Sequence, residues 1–177
     1  MLFDVAILER RTIVFDEILR AGAIDFSGSD WRQPGDLNAV GTAELLDPSG
    51  SCTIRVQGRV HGGMEGTCAR CLEPALTELD GNFNLFYYPM SVIAKKEDIS
   101  IRSADTEVGF YEEPGVELTD VLREQILLWL PMRGLCGEEC KGICSHCGKN
   151  RNFGDCSCEP VQGEARWDAL RNLQLKN

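Results

Sequence analysis

Apolar and polar residues alternate over much of the N-terminal half of the chain, a period of two that is typical of half-buried strands. Phe3, Val5 and Ile7 follow this pattern and predict a short first strand. Residues 12–26 differ, because their apolar residues have helical spacing before Ala21-Gly22, and they predict a helix. Residues 27–36 are rich in Gly, Ser, Asp and Pro and predict a loop.

Residues 39–87 predict two successive antiparallel hairpins. Asp47-Pro48-Ser49-Gly50 has Asp, Pro and Gly where a type I turn needs them, so it joins the first pair of strands. The next strand has an apolar face consisting of Cys52, Ile54, Val56 and Val60. Cys52 is thus expected to be a small buried apolar residue. Gly58 and Gly62-Gly63 predict a bulge or bend in this strand.

A return strand is predicted over residues 79–87, which places Cys68-Ala69-Arg70-Cys71 at the tip of a hairpin. Residues 92–94 and 108–111 predict two further short strands.

An amphipathic helix follows, with Thr119 as its N-cap and Pro131 as its end. Its apolar stripe consists of Leu118, Val121, Leu122, Ile126, Trp129 and Leu130. A short C-terminal helix is predicted over residues 165–173. The expected fold class is α+β: an antiparallel β-sheet or partly open barrel with a packed helix and a small C-terminal zinc-binding module. Residues 1–131 would form the core and residues 132–177 the cysteine-rich module.

The charge of the chain restricts which partners it can bind. The net charge is −10, which argues against a general polyanion-binding surface. Residues 1–129 carry a net −11, whereas residues 130–177 carry +1, so any nucleic-acid contact is expected in the C-terminal third. No apolar run is long enough for a membrane span, and the N-terminus lacks the basic leader of a secretory signal. A reducing cytoplasm is therefore expected, where clustered cysteines are metal ligands or redox groups.

Eight of the nine cysteines have the spacing of metal ligands. A structural zinc takes four ligands, of which a Cys-x-x-Cys turn supplies two. The segment Cys144-Ser145-His146-Cys147-Gly148 has the form of a zinc knuckle, because its glycine lets backbone amides turn toward sulfur. Two structural Zn²⁺ ions are expected. Their ligand sets would be Cys144, Cys147, Cys156 and Cys158, and Cys68, Cys71, Cys136 and Cys140.

Spacing alone permits other interpretations of these cysteines. One alternative groups Cys136, Cys140, Cys144 and Cys147, and leaves Cys156 and Cys158 to join the hairpin pair. Thiol redox catalysis is a further alternative, but a catalytic Cys-x-x-Cys normally lies at a helix N-terminus rather than between strands. Complete sets of four ligands disfavour metal-assisted hydrolysis, because no position is open for water. No catalytic motif is present, so we expect no enzyme and no small-molecule substrate.

Basic residues alternate with the cysteines and are candidates for RNA contact. They are Arg133, Lys141, Lys149 and Arg151. Phe153 lies nearby and has a side chain that can stack on a base.

Three sequence blocks together resemble the bacterial YceD-like family of large ribosomal RNA subunit accumulation proteins. The blocks are C-A-R-C-L-E-P at 68–74, R-E-Q-I-L-L-W-L-P at 123–131 and C-G-E-E-C-K-G-I-C-S-H-C-G-K-N at 136–150. This resemblance implies a cytoplasmic role in 23S ribosomal RNA processing or accumulation, and it implies no catalytic residue.

The leading hypothesis is therefore a non-enzymatic, zinc-binding ribosome biogenesis factor. Its partners would be precursor ribosomal RNA or large-subunit assembly proteins. One alternative is an adaptor that recruits an RNA-processing enzyme through its acidic sheet, and another is a thiol oxidoreductase.

Overall fold

The structure, a computed structural model, describes residues 1–46, 52–93 and 108–158. Its strands are β1 (Leu2–Asp4), β2 (Ile13–Leu19), β3 (Trp31–Arg32), β4 (Leu37–Leu46), β5 (Thr53–Thr67), β6 (Pro74–Pro89), β7 (Val108–Tyr111) and β8 (Gly115–Glu117). Its helices are α1 (Val5–Leu8), α2 (Met90–Ile93), α3 (Leu118–Trp129) and a 3-10 helix (Arg151–Phe153). Over the described ranges, none of these helices has the length and apolar character to cross a membrane.

A six-stranded sheet dominates the fold. Its strands follow the order β2-β4-β5-β6-β7, and β3 pairs with β5 beside this path. All pairs in this sheet are antiparallel except β6 with β7. Strands β1 and β8 form a separate antiparallel pair. The α+β class with an antiparallel sheet is confirmed, and the parallel β6–β7 pair is an addition that the sequence pattern did not predict.

The core lies on one face of the sheet and is covered by α3. Ile54, Val56 and Val60 are fully buried, as their alternation predicts. The helix contributes four buried residues, Leu118, Val121, Leu122 and Ile126. Its end at Pro131 is confirmed, because Leu130 already has extended backbone. Its predicted start is wrong: Glu117 occupies the N-cap position without a side-chain hydrogen bond, so Thr119 lies inside the helix.

Two N-terminal predictions are wrong. The first strand ends at Asp4, whose Oδ1 accepts a hydrogen bond of 2.8 Å from the Ala6 amide and so begins α1. Residues 12–26 contain β2 instead of a helix. Phe15 and Leu19 are buried while Val14 and Ile18 are exposed. This is because β2 pairs with β4 over seven residues, and the pairing imposes the strand period of two on the side chains instead of a helical period.

The bulge expected at Gly58 and Gly62-Gly63 is also wrong, since β5 pairs with β4 and with β6 in continuous register, while the alternative of a bend stays a prediction. These glycines allow close packing instead. A Cβ on Gly58 would lie 2.4 Å from the Val40 carbonyl oxygen and 3.0 Å from the Phe83 ring. Gly41, opposite Gly58, would bring a Cβ within 2.6 Å of the Phe15 ring. The two aromatic rings therefore lie directly against backbone.

Four more predictions have definite outcomes. The strand expected at 92–94 is replaced by the helical turn α2, with Ala94 outside the described residues, whereas the strand at 108–111 is confirmed. The loop at 27–36 contains β3. Cys52 precedes β5, with φ of 47°, and is half-buried rather than buried.

Two other predictions fall wholly outside the described residues. They are the turn at 47–50 and the helix at 165–173. The division of the chain after residue 131 stays a prediction.

Candidate metal centre

The two Cys-x-x-Cys segments adopt the same backbone turn at the tips of two hairpins. In the first, Thr67 pairs with Pro74, and the Cys68 amide donates to the Glu73 carbonyl at 2.8 Å. In the second segment, the paired residues and the hydrogen-bonded residues are separated by the same numbers of positions along the sequence. There Ile143 pairs with Asn150, and the Cys144 amide donates to the Lys149 carbonyl at 2.9 Å.

A left-handed residue follows the second cysteine in both turns. Its amide donates at 2.9 Å to the carbonyl of the first cysteine, as seen for Leu72 with Cys68 and for Gly148 with Cys144. Gly148 has a φ of 71°, which agrees with the knuckle predicted from the sequence. Leu72 has a φ of 65°, a conformation that costs an ordinary residue roughly 1–2 kcal/mol.

The structure brings the eight spaced cysteines into two groups. The first group consists of Cys68, Cys71, Cys136 and Cys140, and the second consists of Cys144, Cys147, Cys156 and Cys158. Within each group, all four Sγ atoms lie within 4.8 Å of one another. The first group joins the β5–β6 hairpin tip to the segment after α3, whereas the second lies within that segment. Each group can hold one metal ion.

The geometry of the sulfur atoms fits a tetrahedral metal better than a disulfide. In the first group, Cys68 Sγ lies 3.8 Å from Cys140 Sγ, and Cys71 Sγ lies 3.5 Å from Cys136 Sγ. Four thiolates at about 2.3 Å from a central zinc would be about 3.8 Å apart, whereas a disulfide needs about 2.05 Å. All nine cysteines are free thiols.

Backbone amides favour the thiolate at the first cysteine of each turn. The Cys136 amide is the main donor to Cys68 and, with those of Arg70 and Cys71, lowers the pKa of Cys68 to about 6. At Cys144, the amides of Cys147 and His146 likewise lower the pKa to about 6. Thiolates are the form in which cysteine binds metal, so these bonds suit the site to a cation.

The pKa values of other thiols in the same groups are shifted in the opposite direction. The hydrogen bond with Cys71 is the largest cause that raises the pKa of Cys136 to about 12, and the bond with Cys147 does the same for Cys158. Four adjacent thiols do not all ionise by themselves, because like charges repel. A bound cation would favour the thiolate form at all four cysteines, since a coordinating thiol is deprotonated.

Two side chains that the sequence did not predict support the first group. Asn152 donates from Nδ2 to Cys140 Sγ at 3.3 Å, which is the main cause of a lowered pKa at Cys140. Arg70 donates from Nη1 to the carbonyls of Glu138 and Cys140 at 3.0 and 3.1 Å. The position of Arg70 between Cys68 and Cys71 could have indicated that it supports the first group, whereas nothing in the sequence indicated the contact made by Asn152.

The four candidate RNA contacts are all exposed: Arg133, Lys141, Lys149 and Arg151. The 3-10 helix lies beside the second turn, because the Arg151 amide donates to the Gly142 carbonyl at 2.9 Å and the Lys141 amide to Asn152 Oδ1 at 2.8 Å. Lys141 and Arg151 are thus neighbours on one small segment. Their contact with RNA stays a prediction.

Comparison with known proteins identifies the family. A family model described as "Large ribosomal RNA subunit accumulation protein YceD" matches residues 56–174, a span that contains both cysteine groups. The chain belongs to the YceD family. The resemblance seen in the three sequence blocks is therefore confirmed.

Curated relatives of this YceD member come from bacteria and from a plant. Uncharacterized proteins of Mycobacterium tuberculosis and Mycobacterium bovis are each 31% identical over 160 residues, covering 84% of this chain and 69% of the relative. A chloroplastic "Large ribosomal RNA subunit accumulation protein YCED homolog 1" of Zea mays is 25% identical over 185 residues, covering 90% of this chain and 61% of the maize protein. No solved structure matches the chain.

Proposed function

We propose that this YceD protein is a non-enzymatic ribosome biogenesis factor that binds two structural zinc ions. It would act in the cytoplasm on the processing or accumulation of 23S ribosomal RNA. Its partners would be precursor ribosomal RNA or large-subunit assembly proteins. The observation that carries this proposal is the family match over residues 56–174, which includes every candidate metal ligand.

The chemistry of the ligands supports zinc and a structural role. Two groups of four sulfur ligands favour zinc or an iron–sulfur cluster over hard cations. Zinc with four cysteines is the usual composition of a closed structural site, in which no coordination position is left for water or substrate. The Cys68–Cys71 turn connects strand β5 to strand β6, so neither cysteine begins a helix, and this argues against a thiol oxidoreductase.

The cations of the cysteine-rich segment support direct contact with RNA. Lys149 and Arg151 are exposed on a segment that both cysteine groups would hold in place, and Phe153 beside them is 77% exposed. Cations supply affinity for phosphates, and an exposed aromatic ring can stack on an unpaired base. In a chain of net charge −10, this segment is the part best suited to a polyanion.

The proposal is tested by replacing two of these cations. The double variant Lys149→Glu, Arg151→Glu should weaken binding to precursor 23S RNA, measured by filter binding across a salt series. The slope of log K against log salt should become shallower by about 0.7 for each phosphate that the variant no longer binds. The matched control is Arg10→Glu, Arg11→Glu, which changes the charge equally at two exposed N-terminal positions.

The cellular role is tested separately by depletion. Ribosomal particles should lose mature large-subunit RNA when the chain is depleted, and the wild-type gene should restore it. Unchanged large-subunit RNA after complete depletion would reject the proposed function. If the two double variants bind RNA equally, the contact residues are wrong, and the role is then judged by depletion alone.

A further inference from the structure

The 3-10 helix Arg151–Phe153 belongs to one cysteine group by its place in the sequence and contacts the other group in the fold. It lies between Cys147 and Cys156, which are both members of the second group. Its central residue, Asn152, donates from Nδ2 at 3.3 Å to the Sγ of Cys140, a member of the first group. A side chain in the loop of the second group therefore supports a sulfur atom of the first.

A second hydrogen bond orients the Asn152 side chain. Its Oδ1 accepts from the Lys141 amide at 2.8 Å, while its Nδ2 is directed at Cys140 Sγ. The Asn152 amide in turn donates to Asn150 Oδ1 at 3.0 Å, at the start of the 3-10 helix. Because a backbone amide can only donate, the Lys141 bond fixes which end of the Asn152 side chain faces the sulfur.

The second group closes the loop that carries Asn152. The loop runs from Cys147 to Cys156, and both of its ends supply a sulfur atom to the same set of four. Within the loop, Lys149 Nζ donates to the Asp155 carbonyl at 3.0 Å, but both residues are exposed. An exposed hydrogen bond adds little stability, because water competes for both partners. Loss of a metal ion from the second group should therefore free the loop and displace Asn152.

A hydrogen-bond partner of a metal ligand affects the affinity of the metal site. Such a partner holds the ligand atom in the orientation that the metal needs, and its loss typically weakens metal binding by roughly 10–100-fold. At the first group this partner is Asn152, whose position depends on the closure of the second group. The affinity of the first group should thus depend on whether the second group holds its metal ion.

We propose that Asn152 is a positioning residue that couples the two metal sites, so that zinc at the second group strengthens zinc binding at the first. The coupling is reciprocal, because each ion must change the affinity for the other by the same factor. Zinc at the second group thereby promotes the fastening of the cysteine-rich segment to the hairpin tip. This inference rests on the two zinc ions of the proposed function and adds a dependence between them.

The test measures the zinc affinity of each group by competition with a chelator of known affinity. The amides of Leu72 and Gly148 occupy equivalent positions in the two turns, so their NMR signals report the occupancy of each group separately. The comparison uses the full chain in four forms. They are the wild type, Asn152→Ala, the second-group variant Cys156→Ser with Cys158→Ser, and the combination of all three substitutions.

The coupling predicts that the effects of these substitutions do not add. Asn152→Ala should weaken zinc binding at the first group roughly tenfold, and the second-group variant should weaken it by the same factor. Adding Asn152→Ala to the second-group variant should weaken it no further. If Asn152 supported Cys140 whatever the state of the second group, the two effects would multiply. Cys68→Ser with Cys71→Ser should weaken zinc binding at the second group by the same factor.

Two further substitutions separate the bond to sulfur from other effects. Asn152→Asp keeps an oxygen for the Lys141 amide but has no donor for Cys140 Sγ, so it should weaken the first group at least as much as Asn152→Ala. Asn38→Ala removes an exposed asparagine of β4 and should change neither affinity. The Val60 amide in β5 should keep its signal in every form, which shows that the sheet stays folded.

The coupling is overturned if Asn152→Ala or Asn152→Asp binds zinc at the first group as the wild type does. It is also overturned if the effects of Asn152→Ala and of the second-group variant multiply. A wild-type chain that holds fewer than two zinc ions overturns the coupling together with the zinc sites of the proposed function, whereas two ions with independent affinities overturn the coupling alone. The role in ribosomal RNA accumulation is judged by depletion in each case.

Discussion

Replacing Cys68 and Cys71 together with serine removes half of the first group of ligands and leaves the second group intact. We expect the metal content to fall from two ions per chain to one. A structural zinc contributes on the order of 10 kcal/mol to folding at neutral pH. The variant therefore tests whether this group fastens the segment after α3 to the hairpin tip.

Hydrogen bonds alone are too weak to keep that segment in place. Among the described residues, the hydrogen bonds that join the hairpin tip to the later segment include Ala69 to Gly134, Ile143 to Arg70, Arg70 to Glu138, Arg70 to Cys140, Asn150 to Glu73, and the Cys136 amide to Cys68. At roughly 0.5–1.5 kcal/mol each, they supply a few kcal/mol. Ordering the backbone costs roughly 1–2 kcal/mol per residue, and residues 132–158 form a long segment. Without its metal, the segment should open.

The sheet should survive this opening. Among the residues that the structure describes, its core cluster contains none after Leu130, and the buried cysteines form a separate cluster with Ala75 and Leu135. Hydrogen exchange distinguishes the two parts. The amides of Ala69 and Ile143, which donate across the junction, should lose protection, whereas the Val60 amide in β5 should keep it.

Two controls make this test specific. Cys52→Ser changes the ninth cysteine, which belongs to neither group, and should keep both metals. Cys156→Ser with Cys158→Ser should lose one metal while the Ala69 amide stays protected. Loss of both metals from the Cys68 and Cys71 variant, or loss of protection at Val60, would refute the reasoning.

Three further predictions concern backbone strain, packing and pH. Gly148→Ala should destabilise the second turn by roughly 1 kcal/mol, measured as weaker zinc affinity, because its φ is 71°. Gly58→Ala should lower the stability of the fold by roughly 1–3 kcal/mol in urea unfolding, because the new Cβ would press on backbone and on the Phe83 ring. Burial raises the pKa of Tyr111 to about 12, so its contribution to stability is present below pH about 10 and lost as the pH rises toward 12. Tyrosinate absorbance during alkaline unfolding should report this loss.

Each of these has a matched comparison. Gly63→Ala should be tolerated, since a Cβ there would meet nothing within 4 Å, and equal costs at Gly58 and Gly63 would contradict the packing account. Burial also raises the pKa of Tyr87, so Tyr111→Phe should remove one of two late tyrosinate steps; an unchanged late absorbance would assign the loss of stability to another tyrosine. For Gly148, an alanine variant with unchanged zinc affinity would show that the left-handed backbone costs nothing there.

The sequence predicted the centre of the fold well because the periodicity there had only one interpretation. Ile54, Val56 and Val60 alternate with polar residues, and all three are buried in β5. The hairpin tip at Cys68 followed directly, since a Cys-x-x-Cys turn between two alternating runs has few other places to lie. The spacing of the cysteines likewise narrowed the possible groups, although only the folded chain brings Cys136 beside Cys71.

The failures lie where local pattern was ambiguous. Phe15 and Leu19 are four residues apart, which suits one face of a helix and equally one face of a strand, and pairing with β4 decided the outcome. The parallel β6–β7 pair depends on a connection that no local pattern specifies. The strain at Leu72 was also hidden, because leucine in a sequence carries no signal of left-handed backbone.

The two cysteine groups differ in how far apart their members lie along the chain, and this gives them different positions in the order of folding. All members of the second group lie between residues 144 and 158, so a metal ion can gather them while the rest of the chain is still unfolded. The first group spans residues 68–140 and requires β5 and β6 to be paired in register before Cys68 and Cys71 form their turn. A metal ion bound in the first group would therefore indicate a chain whose sheet has already folded. A metal ion bound in the second group would indicate only that residues 144–158 have been synthesised.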